Sequence, residues 1–250
     1  MQTASCFDVT EDLLLGGRVS LRQPASGYRA AIDPVMLAAA MAAKAGESVL
    51  DLGCGVGAAA LCLLARLPEL RVTGLELQPE LAELARHNAE ANGRTGGFVV
   101  VEGSVAAPPA GLGGFDHVMT NPPFLRPESG TSPPAAIKAV ANVEGEVDLG
   151  RWIKAAVKLL KPKGRLAVIH RADRLADLLD ALKGRGVGAI QVLPLWPKPE
   201  RPAGRVIVLA RKGARAPLEI LPGLVLHRDD GGFTEAAEAV LRGARALGGP

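Results

Sequence analysis

Asn121-Pro122-Pro123-Phe124 is the tetrapeptide whose groups best fit a defined reaction. An asparagine side-chain oxygen and the carbonyl of the following proline accept hydrogen bonds, so together they hold both hydrogens of one planar amino group. Phe124 then offers a flat ring for the base carrying that amino group. A nitrogen held in this way is poised to attack an electrophilic methyl. Asn121 lies 70 residues beyond Asp51, in the segment Val49-Leu50-Asp51-Leu52-Gly53-Cys54-Gly55-Val56-Gly57. That second segment is a short apolar run opening into a glycine-rich loop, a place for a small-molecule donor. The pair implies methyl transfer from S-adenosylmethionine to an amino group conjugated to a ring or carbonyl.

The donor side needs a choice between two ligands. Gly53, Gly55 and Ala58 also satisfy the dinucleotide fingerprint, and Glu76 stands about where a ribose-binding acid belongs. Asp51 decides against a dinucleotide, because a pyrophosphate beside it would meet like charge. The ammonium and sulfonium of S-adenosylmethionine favour that carboxylate. Asp51, Gly53, Cys54, Gly55 and Gly57 are therefore expected to hold the donor. Glu76 is expected to accept from both ribose hydroxyls. Gln78 assists, or simply leads into the next helix. Ser104 lies near the adenine amino group, or is a turn serine. Cys54 reads as a small residue in the glycine loop and not as a nucleophile. No metal is expected.

Short apolar runs alternating with amphipathic ones must position these groups, and that alternation is an α/β signature. Leu13–Arg22 and Tyr28–Ile32, either side of Pro24-Ala25-Ser26-Gly27, suggest a hairpin. Asp33-Pro34 resembles a helix N-cap followed by proline at the first helical position, opening a helix to about Ala43. Strands follow at Ser48–Gly53, Arg71–Glu76, Phe98–Ser104, Phe115–Asn121 and Arg165–His170, with helices at Gly57–Leu67, Pro79–Ala91, Asp148–Leu160 and Ala172–Lys183. Leu125–Gly150 is loop-like. Ile190–Trp196 and Arg205–Arg211 are joined by only eight residues, too few for a crossover helix, so they should pair antiparallel. A further strand-like run, Leu218–His227, precedes a helix from Phe233 to about Leu247. Residues 1–47 are expected to form a hairpin and helix packed on a core of residues 48–250, within one globular unit. Four strand ends then carry the chemistry, where ligands collect in open α/β sheets: Asp51, Glu76, Glu102-Gly103-Ser104 and Asn121.

Composition bounds the rest. At 250 residues, 48% of them hydrophobic and 22% charged, the chain suits one large domain with a substantial core. Three cysteines without paired spacing and an N-terminus without a basic-then-apolar leader point to a reducing cytoplasm. Residues 1–150 carry 10 Lys/Arg against 17 Asp/Glu, whereas residues 151–250 carry 19 against 9. A net −7 half facing a net +10 half attracts a polyanion to one side. Lys161, Lys163, Arg171, Arg174, Lys198, Arg201, Arg205, Arg211 and Lys212 are its candidate phosphate contacts. Trp152 and Trp196 are expected in the core.

The motifs at Val49–Gly57, Glu76, Glu102–Ser104 and Asn121–Phe124 resemble those of class I, Rossmann-like S-adenosylmethionine-dependent methyltransferases. The Asn-Pro-Pro-Phe motif is similar to that of enzymes that methylate exocyclic amino groups of adenine or guanine, or glutamine amides. The leader Thr10–Arg18, with Gln23-Pro24 and Gly27–Asp33, and the tail around Arg211-Lys212-Gly213 and Leu221–His227 resemble the bacterial tRNA(Val) adenine-N(6)-methyltransferase family. That resemblance implies a seven-stranded, mostly parallel sheet with an antiparallel closing strand and helices on both faces. It implies that Asn121 and Pro122 bind the target amino group and that Phe124 stacks on the base. Asp51, Gly53, Gly55 and Glu76 would hold the donor, and tRNA would be the partner. Many relatives have aspartate where this chain has Ser104. The alternatives in the same branch are the guanine of ribosomal RNA and a release-factor glutamine. Only about 47 residues precede the glycine motif, against the sizeable helical domain of the glutamine enzymes, and Leu125 stands where the guanine enzymes commonly have histidine.

Overall fold

Alternating strands and helices build one large sheet, beside a separate two-stranded hairpin, in the computed structural model, which describes residues 8–26, 29–123 and 147–247. Its core runs β3 (Ser48–Leu52), β4 (Arg71–Glu76), β5 (Phe98–Glu102), β6 (Phe115–Thr120) and β7 (Leu160–Arg171), all parallel. β9 (Arg205–Lys212) runs antiparallel to both β7 and β8 (Val187–Trp196), between which it lies. The short β8–β9 connection thus pairs antiparallel, as its length requires. Seven strands were expected. Among the described residues the sheet has nine, because β10 (Glu219–Ile220) and β11 (Leu224–Val225) each add a two-residue parallel pairing to β8. Two prolines and a glycine in the tail keep these edge pairings short.

Helices cover both faces. α1 (Ile32–Ala39), α2 (Ala58–Arg66), α3 (Pro79–Ala91) and α6 (Glu235–Leu241) bury one set of apolar side chains against the sheet. α4 (Leu149–Leu159) and α5 (Leu175–Leu182) bury a second set on the other face, including Leu50, Leu52, Val118, Val168 and Trp152. Asp148 caps α4 by accepting the Arg151 N–H at 2.7 Å, and Thr234 caps α6 through the Ala237 N–H at 3.1 Å. The terminal helix is shorter than its sequence pattern suggests, ending at Leu241.

The N-terminal hairpin is displaced from its expected position. β1 (Val9–Leu14) pairs with β2 (Val19–Pro24), and the turn between them falls at Leu15–Gly17, whereas Gly27 and Tyr28 of the expected hairpin lie outside the described residues. Gly16 and Gly17 take φ of +64° and +91°, a geometry that glycine adopts without steric penalty. Asn88 of α3 and Asn92, at its C-cap, then act as a substitute strand edge for β2. Asn88 accepts the Arg22 N–H at 2.8 Å and donates to the Arg22 and Val56 carbonyls at 2.9 and 3.0 Å. Asn92 brackets Ser20 in the same way, at 2.9 and 2.7 Å. The leader residues Asp12, Gln23 and Arg29 form one network: Arg29 and Gln23 both donate to Asp12, and Gln23 accepts the Ala30 N–H at 2.7 Å. Asp33 does not cap α1. Ala31 occupies the cap position without a side-chain bond, and Asp33 pairs with Arg205 at 2.9 Å.

Candidate active site

The carboxyl ends of β3, β4, β5 and β6 lie side by side, so residues following those strands share one edge of the sheet. Leu52 pairs with Thr120, so Gly53 and Asn121 directly follow paired residues on adjacent strands. Two hydrogen bonds lock that junction. The Thr120 hydroxyl donates to the Leu52 carbonyl at 2.7 Å and accepts the Trp152 indole N–H at 2.8 Å. The indole lies so close to Gly53 that a Cβ there would sit 2.6 Å from its Cζ2, and Gly53 also has φ +73°. Glycine is thus required at 53 both by its own backbone and by Trp152.

Asp51 is buried on the α2 side of β3, and its Oδ2 has no hydrogen-bond partner. Burial pushes its carboxyl up to about 7, against a backbone hydrogen bond from Ala60 and with a further upward push from Glu76. Glu76 is equally buried but well served: Oε2 accepts the Gly55 N–H at 2.7 Å, and Oε1 accepts those of Leu77 and Gln78, both at 2.9 Å. Its pKa is nevertheless raised, burial outweighing the three donors. Gln78 opens α3 without a side-chain cap, and its Nε2 is buried without a partner. Cys54 packs its sulfur toward Gly74, and burial holds the thiol well above its ordinary pKa, which leaves it protonated. Gly57 takes the cap position of α2.

A cleft opens at this edge, lined by Gly53, Glu76, Leu77, Ser104, Val105, Val147 and Trp152. Gly53, Glu76 and Ser104 come together there from three different strand ends. Asp51, Cys54, Gly55, Gly57 and Gln78 stand behind or beside it and do not line it. Ser104 faces the cleft, yet its Oγ accepts the Ala106 N–H at 3.1 Å, the mark of a turn serine. Glu102 turns away to Arg86 at 2.7 Å. The apolar walls Leu77, Val105 and Val147 and the ring of Trp152 went unnoticed in the sequence as lining residues. The first two directly follow Glu76 and Ser104, a position that signals them. Asn121 and Pro123 are half-buried beyond β6, and Pro122 is buried. Phe124 lies outside the described residues. Trp152 is buried, as expected of it, whereas Trp196 is only partly covered.

A buried acid whose Oδ2 has no partner, a second acid at the next strand end, an apolar-walled cleft and a glycine loop would suit a compact cationic ligand carrying a sugar and a flat ring. Asp51 would be its counter-charge. Glu76 retains acceptor capacity, since a carboxylate has about four lone-pair sites and three are used. No group of acidic, histidine and cysteine side chains suited to a metal ion occurs among the described residues.

The chain matches the methyltransferase small domain over residues 30–185. It is 34% identical over 175 residues to a tRNA1(Val) (adenine(37)-N6)-methyltransferase of Porphyromonas gingivalis, covering 67% of this chain and 68% of that one. A release factor glutamine methyltransferase of Deinococcus radiodurans is 43% identical over 97 residues, covering 38% of this chain and 30% of the relative. Among solved structures, a protein of Agrobacterium tumefaciens described as a predicted O-methyltransferase superposes with a TM-score of 0.71 at 28% identity, covering 86% of this chain and 98% of that one.

Proposed function

The chain belongs to the methyltransferase small domain family, and from that premise we propose that it methylates the exocyclic amino group of an adenine in tRNA. The observation that supports this reading is that Asn121-Pro122-Pro123 follows β6, whose Thr120 pairs with Leu52 just before Gly53, at the sheet edge where Gly53, Glu76 and Ser104 line a cleft. The extended match to an adenine-N6 enzyme selects the acceptor, whereas the match to the glutamine enzyme covers under a third of that protein.

S-adenosylmethionine, when bound, supplies a methyl group on a positively charged sulfur. Asp51 neutralises the donor's ammonium, and Glu76 accepts from its ribose hydroxyls. Leu77 and Val105 give apolar contact to its base. Asn121 Oδ1 and the Pro122 carbonyl each accept one hydrogen of the target amino group, which draws its lone pair out of conjugation with the ring. Phe124 stacks on that base. The amino nitrogen forms the new bond to the methyl carbon as the carbon–sulfur bond breaks, and the surplus proton leaves for water afterwards. Such chemistry needs position more than a base. His170, at the end of β7, is buried with its pKa pushed down to about 4, chiefly by burial and then by Arg174, so it stays neutral. A stacked base cannot enter a cleft of this kind, so the target is unpaired or flipped, as in a tRNA loop.

Nucleoside mass spectrometry of bulk tRNA incubated with enzyme and donor is the direct test, with N6-methyladenosine the expected product. In the same assay Asn121→Ala should lose roughly a hundredfold in turnover, the usual cost of one preorganised polar contact at a reacting group. Its donor affinity should stay near that of the wild type. Activity within threefold of wild type removes Asn121 from the chemistry, and methylated release factor with unmethylated tRNA transfers the assignment to the glutamine branch.

A further inference from the structure

The basic residues of 151–250 are divided between the site end of the sheet and the opposite end. β7 and β9 pair Arg171 with Arg205 at the site end and Arg165 with Arg211 at the opposite end. The two ends are six residues apart along the strand, about 20 Å. At the site end each arginine has its own carboxylate: Asp173 for Arg171 and Asp33 for Arg205, with Asp177 pairing Arg174. At the far end Arg165 and Arg211 face each other directly, and neither makes an ion pair among the described residues. Like charges directly opposite on paired strands destabilise a sheet.

More cations crowd the same end. Lys163 is exposed at the start of β7, Lys183 at the close of α5, and Arg215 just beyond β9. The nearby acids do not neutralise them. Asp116 is engaged by Lys161 at 2.9 Å and by Ser48, which hold its carboxyl well below the usual range; Glu47 is taken by His117. Asp180 and Glu219 remain, the latter bonded to Gln191. Arg211 donates to the Lys163 carbonyl at 3.3 Å, which leaves its charge unmatched. Exposed cations without carboxylate partners, gathered at one end of the sheet, point to an anion from outside.

We infer that the amino end of β7 and β9, around Lys163, Arg165 and Arg211, is a second docking surface for the phosphate backbone of the RNA substrate. This rests on the tRNA reading above. A folded RNA much longer than the roughly 20 Å between strand ends reaches both the site and this surface, whereas a few nucleotides bound at Asn121 do not. The surface therefore selects a large structured substrate over a short one.

The test is the full-length variant Lys163→Gln/Arg165→Gln/Arg211→Gln, assayed on whole tRNA and on an adenine-containing pentanucleotide. Removing three phosphate contacts should flatten the salt dependence of tRNA affinity by about 2 in log–log slope and raise KM for tRNA about tenfold or more. kcat, donor affinity and pentanucleotide methylation should be unchanged. The melting temperature should hold or rise, because a like-charge pair has been removed. A KM for tRNA within twofold of wild type, with an unaltered salt slope, overturns the inference. So does binding to phosphatidylglycerol vesicles that the variant loses while its handling of tRNA is intact, which would assign the surface to a lipid. If wild-type enzyme methylates no tRNA, it is the functional reading that fails. Equilibrium binding of the same tRNA to wild type and variant then judges the surface on its own.

Discussion

Asp51 concentrates the electrostatics of the site in one side chain. Its carboxyl titrates near 7 because burial penalises the charge, and its Oδ2 has no partner to offset that penalty. Between about pH 4 and 7 the folded protein holds a proton that the unfolded chain has released, so stability falls as pH rises through that window. Donor binding should have the opposite slope, since an ammonium selects the ionised form. We expect the dissociation constant for S-adenosylmethionine to weaken roughly tenfold between pH 8 and 6, and Asp51→Asn to bind weakly at every pH with that dependence gone. Calorimetry across the range measures both. A flat profile in the wild type would leave Asp51 a structural residue of the β3–α2 junction.

Among the elements, the attachment of β2 to α3 rests on very few groups. Asn88 is buried and satisfies both polar groups of Arg22 as well as the Val56 carbonyl at the head of α2. Asn88→Ala leaves three main-chain groups without partners in a poorly hydrated place, which should cost about 3 kcal/mol. Chemical denaturation gives that figure, and hydrogen exchange should show the Ser20 and Arg22 amides losing protection ahead of the sheet. Equal protection in mutant and wild type would mean that apolar packing of Val19 and Leu21 holds the hairpin without the asparagine. Nothing in the run Arg86-His87-Asn88-Ala89 announces this role, because its partners lie 66 and 32 residues away along the chain.

For the whole molecule, the sheet sorts the basic residues by end. Of the nine candidate phosphate contacts, Lys161 pairs with Asp116, and Lys212 donates to the Val157 and Leu160 carbonyls at the end of α4. Arg171, Arg174 and Arg205 are matched to carboxylates. Lys198 and Arg201, in the β8–β9 connection, lie at the site end, with Lys198 donating to the Asp229 carbonyl at 3.2 Å. Reversing both to glutamate should weaken RNA binding while leaving donor binding intact. With about four phosphates engaged in all, affinity for tRNA should fall with log salt at a slope of about −3. A salt-independent affinity together with silent reversals would point to a protein or small-molecule acceptor and sink the tRNA reading.

The sequence alone determined what is local. Pro at the first position and alternating apolar spacing placed α3 at Pro79–Ala91, and apolar runs ending in Asp51, Glu76 and Asn121 marked three strands and the edge they share. Glycine, proline and side-chain period act within a few residues of themselves, so they are readable in one dimension. Tertiary structure alone decided the rest. Leu15–Gly17 turns the β1–β2 hairpin, and β2 presents Ser20 and Arg22 to Asn92 and Asn88. Asp33 gave up capping for Arg205, a partner 172 residues on. Trp152, a core residue as its sequence suggests, also fixes Thr120 and shapes Gly53, a role only the fold reveals. The basic half of the sequence was split between the two ends of the sheet, and its cations without carboxylate partners gathered at the end remote from Asn121, because antiparallel β9 returns Arg211 to the end where β7 begins. Contacts between distant positions depend on which elements pair and in which direction, and no local pattern encodes that.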